Sequence, residues 1–216
     1  MFQEHYQPKT NASFTKQKLI TKENIFHYTY AVLHNPAYRK KYELDLKREF
    51  PRLPLYADFF AWESLGKQLM ELHINYETVE PFDLKLIETK QEIKEAKQKA
   101  MFPIAQEPEA LYTKKPKLKV KLKADKESGI IELDEQTALS GVPKQAWEYK
   151  LGNRSALEWV LDQYKEKKPG DPTIAEKFNT YRFADYKEQV INLLKRVCTV
   201  SVETMRIVGE MGKLES

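Results

Sequence analysis

A short run of alternating residues constrains the fold most strongly. Residues 117–123 alternate lysine with Leu118, Val120 and Leu122. This period of two places apolar side chains on one face of a β-strand and four lysines on the other face. Residues 124–129 supply a turn, and residues 130–134 can return as the antiparallel partner. The sequence therefore predicts a β-hairpin with one buried face.

Most of the remaining pattern is helical. Apolar residues recur at spacings of three and four after Asp58, a predicted N-cap, at Phe59, Trp62, Leu65, Leu69, Leu72 and Tyr76. Further helices are predicted after the N-cap Thr21, over residues 37–46 beyond Asn35-Pro36, after the capping box of Ser155 and Glu158, after Asp171-Pro172, and from the capping pair Asp185 and Glu188. The predicted class is α+β, mostly helical with a small antiparallel hairpin or sheet.

Changes in composition suggest how the chain is organised. Residues 1–20 are predicted to be an N-terminal arm, 21–80 a helical part, 81–113 a polar connector, and 114–216 the hairpin with the C-terminal helices. Residues 21–210 are expected to form one domain. Within the connector, residues 85–99 predict a solvated helix or a protruding loop. Residues 50–54 (FPRLP) predict an extended elbow from which Arg52 projects, because two prolines fix the backbone.

Charge and cysteine content limit the functional classes. The chain has 36 Lys and Arg against 32 Asp and Glu, and this net charge of +4 is weak evidence for nucleic acid by itself. The single Cys198 excludes an internal disulfide and fits a buried residue in a reducing compartment. No apolar run is long enough to span a membrane, and the N-terminus lacks a signal layout. The expected location is cytoplasmic, without a membrane partner.

Motifs for catalysis are not found in the sequence. It lacks a glycine-rich phosphate loop, a nucleophile elbow and a pair of histidines at zinc spacing. His27, His34 and His73 are interpreted as core or surface histidines rather than metal ligands. The acidic run at Glu132, Asp134 and Glu135 is predicted to be solvated on an edge strand. The chain is therefore predicted to have no catalytic residue, no metal site and no cofactor of its own.

Basic clusters give the stronger functional signal. Residues 114–126 hold seven lysines and residues 37–52 six further basic residues, a pattern that attracts phosphates but equally confers solubility and protects strand edges. A turn at Gly152-Asn153-Arg154 precedes the predicted helix at Ser155, so it is either a phosphate-binding corner or part of a well-capped structural helix. Trp147 and Trp159 are expected to pack the hairpin against the helices. The candidate DNA-binding residues are Arg39, Lys40, Lys41, Arg48, Arg52, Lys119, Lys121, Lys150, Asn153, Arg154 and Arg182, with Gln145 and Asn179 as further base-reading candidates.

Three separated stretches carry a family resemblance. They are residues 26–42 (FHYTYAVLHNPAYRKKY), 50–54 (FPRLP) and 147–159 (WEYKLGNRSALEW). Taken together, residues 21–208 resemble the C-terminal specificity domain of the type ISP restriction-modification enzymes. The resemblance implies a mixed helix and sheet fold that reads a DNA sequence. In that family the domain follows an adenine-N6 DNA methyltransferase, with nuclease and helicase parts further upstream.

The chain also departs from the family pattern. Those enzymes are several times longer, and their Asn-Pro-Pro-Tyr methyltransferase motif and helicase phosphate loop are absent here. No catalytic residue is therefore transferred, and S-adenosylmethionine, ATP and Mg would belong to upstream parts of a full enzyme. We expect a bacterial, non-catalytic target recognition module with double-stranded DNA and a methyltransferase domain or subunit as partners, in the form of a truncated gene, an excised fragment or a separately encoded piece. The alternative is a docking module for a methyltransferase without DNA contact of its own.

Overall fold

The structure is a computed structural model that describes residues 19–88, 119–166 and 181–214. The chain divides into two compact units, residues 1–76 with 203–216, and residues 77–202. Most of the predicted N-terminal arm, most of the polar connector and the helix predicted after Asp171-Pro172 lie outside the described residues. The two units are described separately below.

The first unit is helical. Its elements are α1 Lys22–His34, α2 Pro36–Lys41, a 3-10 helix Asp45–Lys47, α3 Phe59–Ile74 and the C-terminal part of α5 Phe183–Leu214. The predicted N-cap at Thr21 is confirmed, because Thr21 Oγ1 accepts a hydrogen bond from the Asn24 backbone N–H at 3.2 Å. The cap at Asp58 is also confirmed, with its carboxylate accepting from the Ala61 N–H at 2.9 Å.

The helix predicted over residues 37–46 is shorter in the structure. Asn35 caps α2 through its side-chain oxygen, which accepts from the Ala37 N–H at 2.8 Å, and Pro36 takes the first helical position. Helix α2 ends at Lys41, and a turn leads into the 3-10 helix. The last turn of α2 is entirely basic and so offers no acidic partner within the helix.

Large aromatic side chains form the core of this unit. Tyr28 stacks on Phe59 with ring centroids 4.9 Å apart, and Tyr56 stacks on Trp62 at 4.1 Å. Tyr28, Phe59 and Trp62 are almost completely buried. Ile207 and Met211, near the end of α5, complete the cluster. Each buried ring of this size removes a large apolar area from water and so stabilises the unit.

The second unit contains an antiparallel sheet of β1 Lys85–Ile87, β2 Val120–Asp125, β3 Ile130–Asp134 and β4 Ala138–Ser140, in the order β1-β4-β3-β2. The predicted hairpin is confirmed as β2 and β3, with the lysines of β2 exposed and Leu122 buried. The prediction of a helix or loop at residues 85–87 is wrong, since these residues pair with β4. A three-residue strand is too short to show a period in the sequence, and contact with Ile130 and Ala138 buries Ile87.

Strand β2 contains an irregularity at its centre. The register with β3 shifts between Val120 and Lys123, and Leu122 takes a left-handed backbone conformation with φ of 41°. Such a conformation is unfavourable for a branched side chain, so the surrounding structure must hold it. Leu122 is 3% exposed. The irregularity in β2 therefore keeps the Leu122 side chain in the core at the point where the register with β3 shifts.

The acidic residues of β3 are not solvated, which corrects the sequence prediction. Strand β3 lies inside the sheet rather than at its edge, and Glu132 and Asp134 are both buried. Glu132 forms an ion pair with Lys121 at 2.9 Å, and Asp134 forms one with Lys187 at 2.7 Å. Burial requires such partners because an unpaired buried carboxylate is strongly unfavourable. These carboxylates are structural.

Helix α4 Ala156–Gln163 and the first part of α5 cover the sheet, with Leu157, Leu161 and Leu194 in the core. Cys198 is buried there, as predicted. Helix α5 begins at Phe183 rather than at the predicted Asp185, because the Phe183 N–H donates to the Glu166 carboxylate at 2.9 Å. A carboxylate from outside the helix supplies the cap, which local sequence does not reveal. The predicted α+β class is confirmed.

Candidate functional site

A two-residue turn exposes the polar residues singled out at positions 150–154. Strands β5 Lys150–Leu151 and β6 Arg154–Ser155 pair antiparallel, with Leu151 opposite Arg154. Gly152 supplies the positive φ of 70° that the tight turn requires. We call residues 150–154 the hairpin tip, and all of them are exposed. The tip exposes Lys150, Asn153 and Arg154 on one two-strand projection, with Lys150 paired to Ser155 and Arg154 paired to Leu151.

Helix α4 holds the hairpin tip in place. The indole N–H of Trp159 donates to the Leu151 carbonyl at 2.7 Å, and the Arg154 guanidinium lies 5.7 Å from the Trp159 ring centre. Arg154 also pairs with Asp162 at 3.3 Å. The prediction that Trp147 and Trp159 pack the hairpin against the helices is confirmed for Trp147, which is 6% exposed in a core shared by β2, β3 and α4. Trp159 is outside that core and is 38% exposed. Trp159 lies at the surface and supports the tip.

The N-terminus of α4 is already occupied by a carboxylate from its own first turn. Glu158 accepts hydrogen bonds from the Ser155 N–H at 2.9 Å and from its hydroxyl at 2.8 Å, which confirms the predicted capping box. Lys126 pairs with the other carboxylate oxygen at 2.9 Å. Partial burial raises the pKa of Glu158, but the hydrogen bonds from Ser155 and Lys126 outweigh burial and lower it overall.

This arrangement favours the well-capped helix over a phosphate corner built from the helix N-terminus. A phosphate at the backbone N–H of Ser155 would have to displace Glu158. Glu158 does not compete for the side chains of the hairpin tip, because they lie outside the capping box. Lys150 and Arg154 offer cationic donors, and Asn153 offers an amide.

A second group of candidates lies in the first unit, in residues 39–52, which we call the basic segment. Its positive residues are all exposed: Arg39, Lys40, Lys41, Lys47, Arg48 and Arg52. Lys47 pairs with Glu43 at 2.8 Å, and Arg52 approaches Glu49 at 3.4 Å. The other four make no ion pair within the described residues. A group of exposed, uncompensated cations is suited to bind a polyanion.

Two buried tyrosines anchor the elbow that ends the basic segment. The Tyr38 hydroxyl donates to the Arg52 carbonyl at 3.1 Å, and the Tyr28 hydroxyl donates to the Pro54 carbonyl at 2.7 Å while accepting from the Tyr56 N–H at 2.9 Å. Burial first, and then Tyr42 and Asp45, raise the pKa of Tyr38. Its hydroxyl therefore remains a donor at neutral pH. The predicted non-helical elbow is present and fixed by hydrogen bonds.

The remaining candidates are more dispersed. Lys119, directly before β2, and Lys121, within β2, are both exposed, and Lys121 pairs with Glu132 at 2.9 Å. Arg182 is exposed next to the start of α5, where its guanidinium donates to the Tyr181 carbonyl at 2.9 Å. Gln145 is exposed in the 3-10 helix Lys144–Trp147, and Asn179 lies outside the described residues.

Sequence reasoning missed two features of these surfaces. Lys126 contacts Glu158 only through the fold, so no local pattern could have assigned it. Phe50 is 94% exposed at the start of the elbow. Pro51 predicts the extended backbone of Phe50 but not the exposure of its side chain. Among the described residues no group of three or more histidine, cysteine or acidic side chains could hold a metal ion. None of the described helices is long and apolar enough to cross a membrane.

Fold and surfaces together define an α+β domain that presents basic and amide side chains on short, anchored turns. The model of the Type ISP C-terminal specificity domain family matches residues 2–193. The chain belongs to this family, which confirms the resemblance carried by the three stretches. Comparison with the curated proteins found no significant match.

Solved structures with the same fold include three large proteins. A cryo-EM structure of a DrdV–DNA complex is 50% identical over 89% of this chain, with a TM-score of 0.73. A nuclease-deletion mutant of the Type ISP restriction-modification enzyme LlaGI, in complex with a DNA substrate mimic, is 28% identical over 88% of the chain, with a TM-score of 0.60. The ATP-dependent Type ISP restriction-modification enzyme LlaBIII, bound to DNA, is 24% identical over 90% and shares the fold with a TM-score of 0.61. This chain covers only 18%, 14% and 11% of those chains, respectively.

Proposed function

We propose that this chain is the DNA target recognition module of a bacterial, cytoplasmic restriction-modification adenine methyltransferase. The observation that carries the proposal is the 50% identity, across 89% of this chain, to part of a protein solved in complex with DNA. Membership in the Type ISP C-terminal specificity domain family supports the same role. The exposed cations of the basic segment and the hairpin tip supply the side-chain chemistry that duplex DNA requires.

The two surfaces suit different parts of DNA recognition. The basic segment holds Arg39, Lys40, Lys41 and Arg48, which make no ion pair within the described residues and can neutralise phosphates. The hairpin tip carries Lys150, Asn153 and Arg154 on a narrow two-strand projection. Arginine and lysine can donate to the major-groove edge of guanine, and asparagine can pair with adenine. We assign positioning to the basic segment and base reading to the hairpin tip.

The catalytic partner in this proposal is a methyltransferase domain or subunit. The chain supplies sequence recognition and no catalytic residue. S-adenosylmethionine, ATP and Mg would be bound by other parts of the full enzyme. The share of the related chains that this domain covers, 18% and 14%, is consistent with such a division of labour.

Binding to a mixed-sequence duplex across a salt series tests the proposal. The affinity should fall steeply with salt, and replacing Arg39, Lys40 and Lys41 together with alanine should reduce the slope of log K against log salt by up to about 3. The matched control replaces Lys67 and Arg206, exposed cations that already pair with carboxylates. The control should bind like the unmodified chain. A folded chain that retains no duplex at low salt would overturn the proposal.

A further inference from the structure

Phe50 is exposed in a way that the fold does not require. Its side chain is 94% exposed, more than any other large apolar side chain of the described residues. Phenylalanine is normally buried because its ring removes a large apolar area from water. Phe50 contributes nothing comparable to the core of the first unit, which is built from other aromatic rings. The exposed ring is therefore available for a partner.

The backbone beneath the ring is held firmly. Pro51 restricts the preceding residue to extended conformations, so the direction of Phe50 is limited by its own neighbour. Two residues further on, the Arg52 carbonyl accepts the hydrogen bond from the buried Tyr38. Leu53 packs against the core, and the Pro54 carbonyl is bound by Tyr28. Little conformational entropy remains for the elbow to lose when it meets a partner.

Two arginines flank Phe50 in the sequence, and they indicate the class of partner. Arg48 and Arg52 lie two residues before and after Phe50, and both are exposed. The Arg52 guanidinium pairs with the Glu49 carboxylate at 3.4 Å, in an ion pair open to water. Pairs of this kind are weak and exchange readily for a stronger anion. An exposed aromatic residue with an arginine two positions away on each side suits a base step flanked by phosphates better than it suits an apolar protein surface.

We propose that Phe50 inserts as an aromatic wedge at one base step of the bound duplex, while Arg48 and Arg52 contact phosphates on either side of that step. This inference rests on the proposed function and names a residue that deforms the DNA. Four residues span at most about 14 Å, so the two arginines can reach neighbouring phosphates of the same site. Apolar wedges of this type unstack a step and bend the duplex, which makes recognition depend on how easily that step deforms.

The test compares two duplexes of the same mixed sequence, one intact and one with a central abasic site. An abasic site removes the unstacking penalty, so the unmodified chain should bind the abasic duplex about 5- to 50-fold more tightly. Phe50→Ala should abolish this preference, and Phe50→Trp should keep it. The control Ile74→Ala removes another strongly exposed apolar side chain of the same unit, 68% exposed, and should keep the preference. Circular dichroism checks that each variant is folded.

The outcomes separate the wedge from the proposed function. If the chain binds both duplexes with a steep salt dependence but Phe50→Ala keeps the full preference, the wedge is wrong and DNA recognition stands. If Phe50→Ala lost affinity equally for the intact and the abasic duplex, insertion of Phe50 would also be wrong, since the ring would then contact DNA without unstacking a base step. If the folded chain binds neither duplex at low salt, the proposed function fails and the wedge fails with it.

Discussion

His73 Nε2 and Thr204 Oγ1 share a hydrogen bond of 2.8 Å although they are 131 positions apart in the sequence. The other ring nitrogen of His73 lies 2.8 Å from the Tyr30 hydroxyl. One imidazole thus joins α1, α3 and the last part of α5. The ring of His34 lies 5.3 Å away, centre to centre, and its Nδ1 is 2.8 Å from the Tyr30 carbonyl oxygen. The neutral imidazole of His73 is therefore part of the packing of this unit.

The first prediction concerns pH. Burial, and then His34, lower the pKa of His73 to about 4 from the ordinary 6.5; burial also lowers the pKa of His34. Below pH 6.5 the unfolded chain binds more protons than the folded chain. The contribution of the neutral His73 to the free energy of unfolding is therefore complete above that pH and falls towards pH 4. We expect a loss of about 1–2 kcal/mol between pH 7 and about pH 4.5, after allowance for the partial exposure of the ring.

Denaturant unfolding at a series of pH values measures this effect. His73→Gln should be less stable at pH 7 but should show a flatter pH profile, because the titrating group is gone while a polar side chain remains. The carboxylates titrate in both proteins, so only the difference between their profiles is informative. An identical pH dependence in the two proteins would contradict the assignment.

Gly66 allows the close approach of α3 to α1. A methyl group at this position would lie 1.8 Å from the His27 carbonyl oxygen. Gly66→Ala should therefore destabilise the chain by about 2–4 kcal/mol, although alanine favours helix by about 1 kcal/mol. Gly209 is the matched control, since nothing lies within 4 Å of an added methyl. Gly209→Ala should be neutral or slightly stabilising in chemical unfolding, and similar losses at both sites would refute the packing argument.

Cys198 should behave as an inert thiol in the folded chain. Burial raises its pKa to about 12, so almost no thiolate, the reactive form, is present near neutral pH. A thiol reagent at about pH 8 should label the chain only as fast as the second unit opens, and mild denaturant should accelerate the reaction. Cys198→Ala provides the blank. Rapid labelling under native conditions would show that the core around this helix is open.

Arg154 and Asp162 form an ion pair, but only the loss of Arg154 should weaken DNA binding. The pair is 3.3 Å long and open to water on the Arg154 side, so breaking it should change the unfolding free energy by only about 1 kcal/mol. Arg154→Ala should weaken duplex binding by about tenfold, whereas Asp162→Asn removes a competing anion and should not weaken it. Equal losses in both variants, or unfolding of Arg154→Ala, would make the pair structural.

Local rules were sufficient for several elements of the fold. Thr21, Asp58 and Ser155 cap their helices as the sequence predicts, because a cap depends on residues three positions away. The start of α5 could not be predicted in this way, since its cap comes from Glu166. Strand β1 was missed for a related reason: a short strand is defined by its partner β4 rather than by its own pattern.

The candidate site shows the same division between local and long-range information. The sequence predicts the polar turn at residues 150–154 and the stiff elbow at residues 50–54, because glycine and proline act locally. It does not predict that Glu132 is buried against Lys121, since that depends on β3 lying inside the sheet. The exposure of Phe50 likewise emerges only from the packing of its neighbours.

Selection from a library of random duplexes tests target recognition most directly. The purified chain is incubated with the library at moderate salt, and the retained duplexes are sequenced over successive rounds. The account predicts enrichment of one short sequence, with the preference reduced at individual positions by Asn153→Ala or Arg154→Ala. Retention of all sequences alike, or of none, by a chain shown to be folded would contradict the claim that this domain reads DNA.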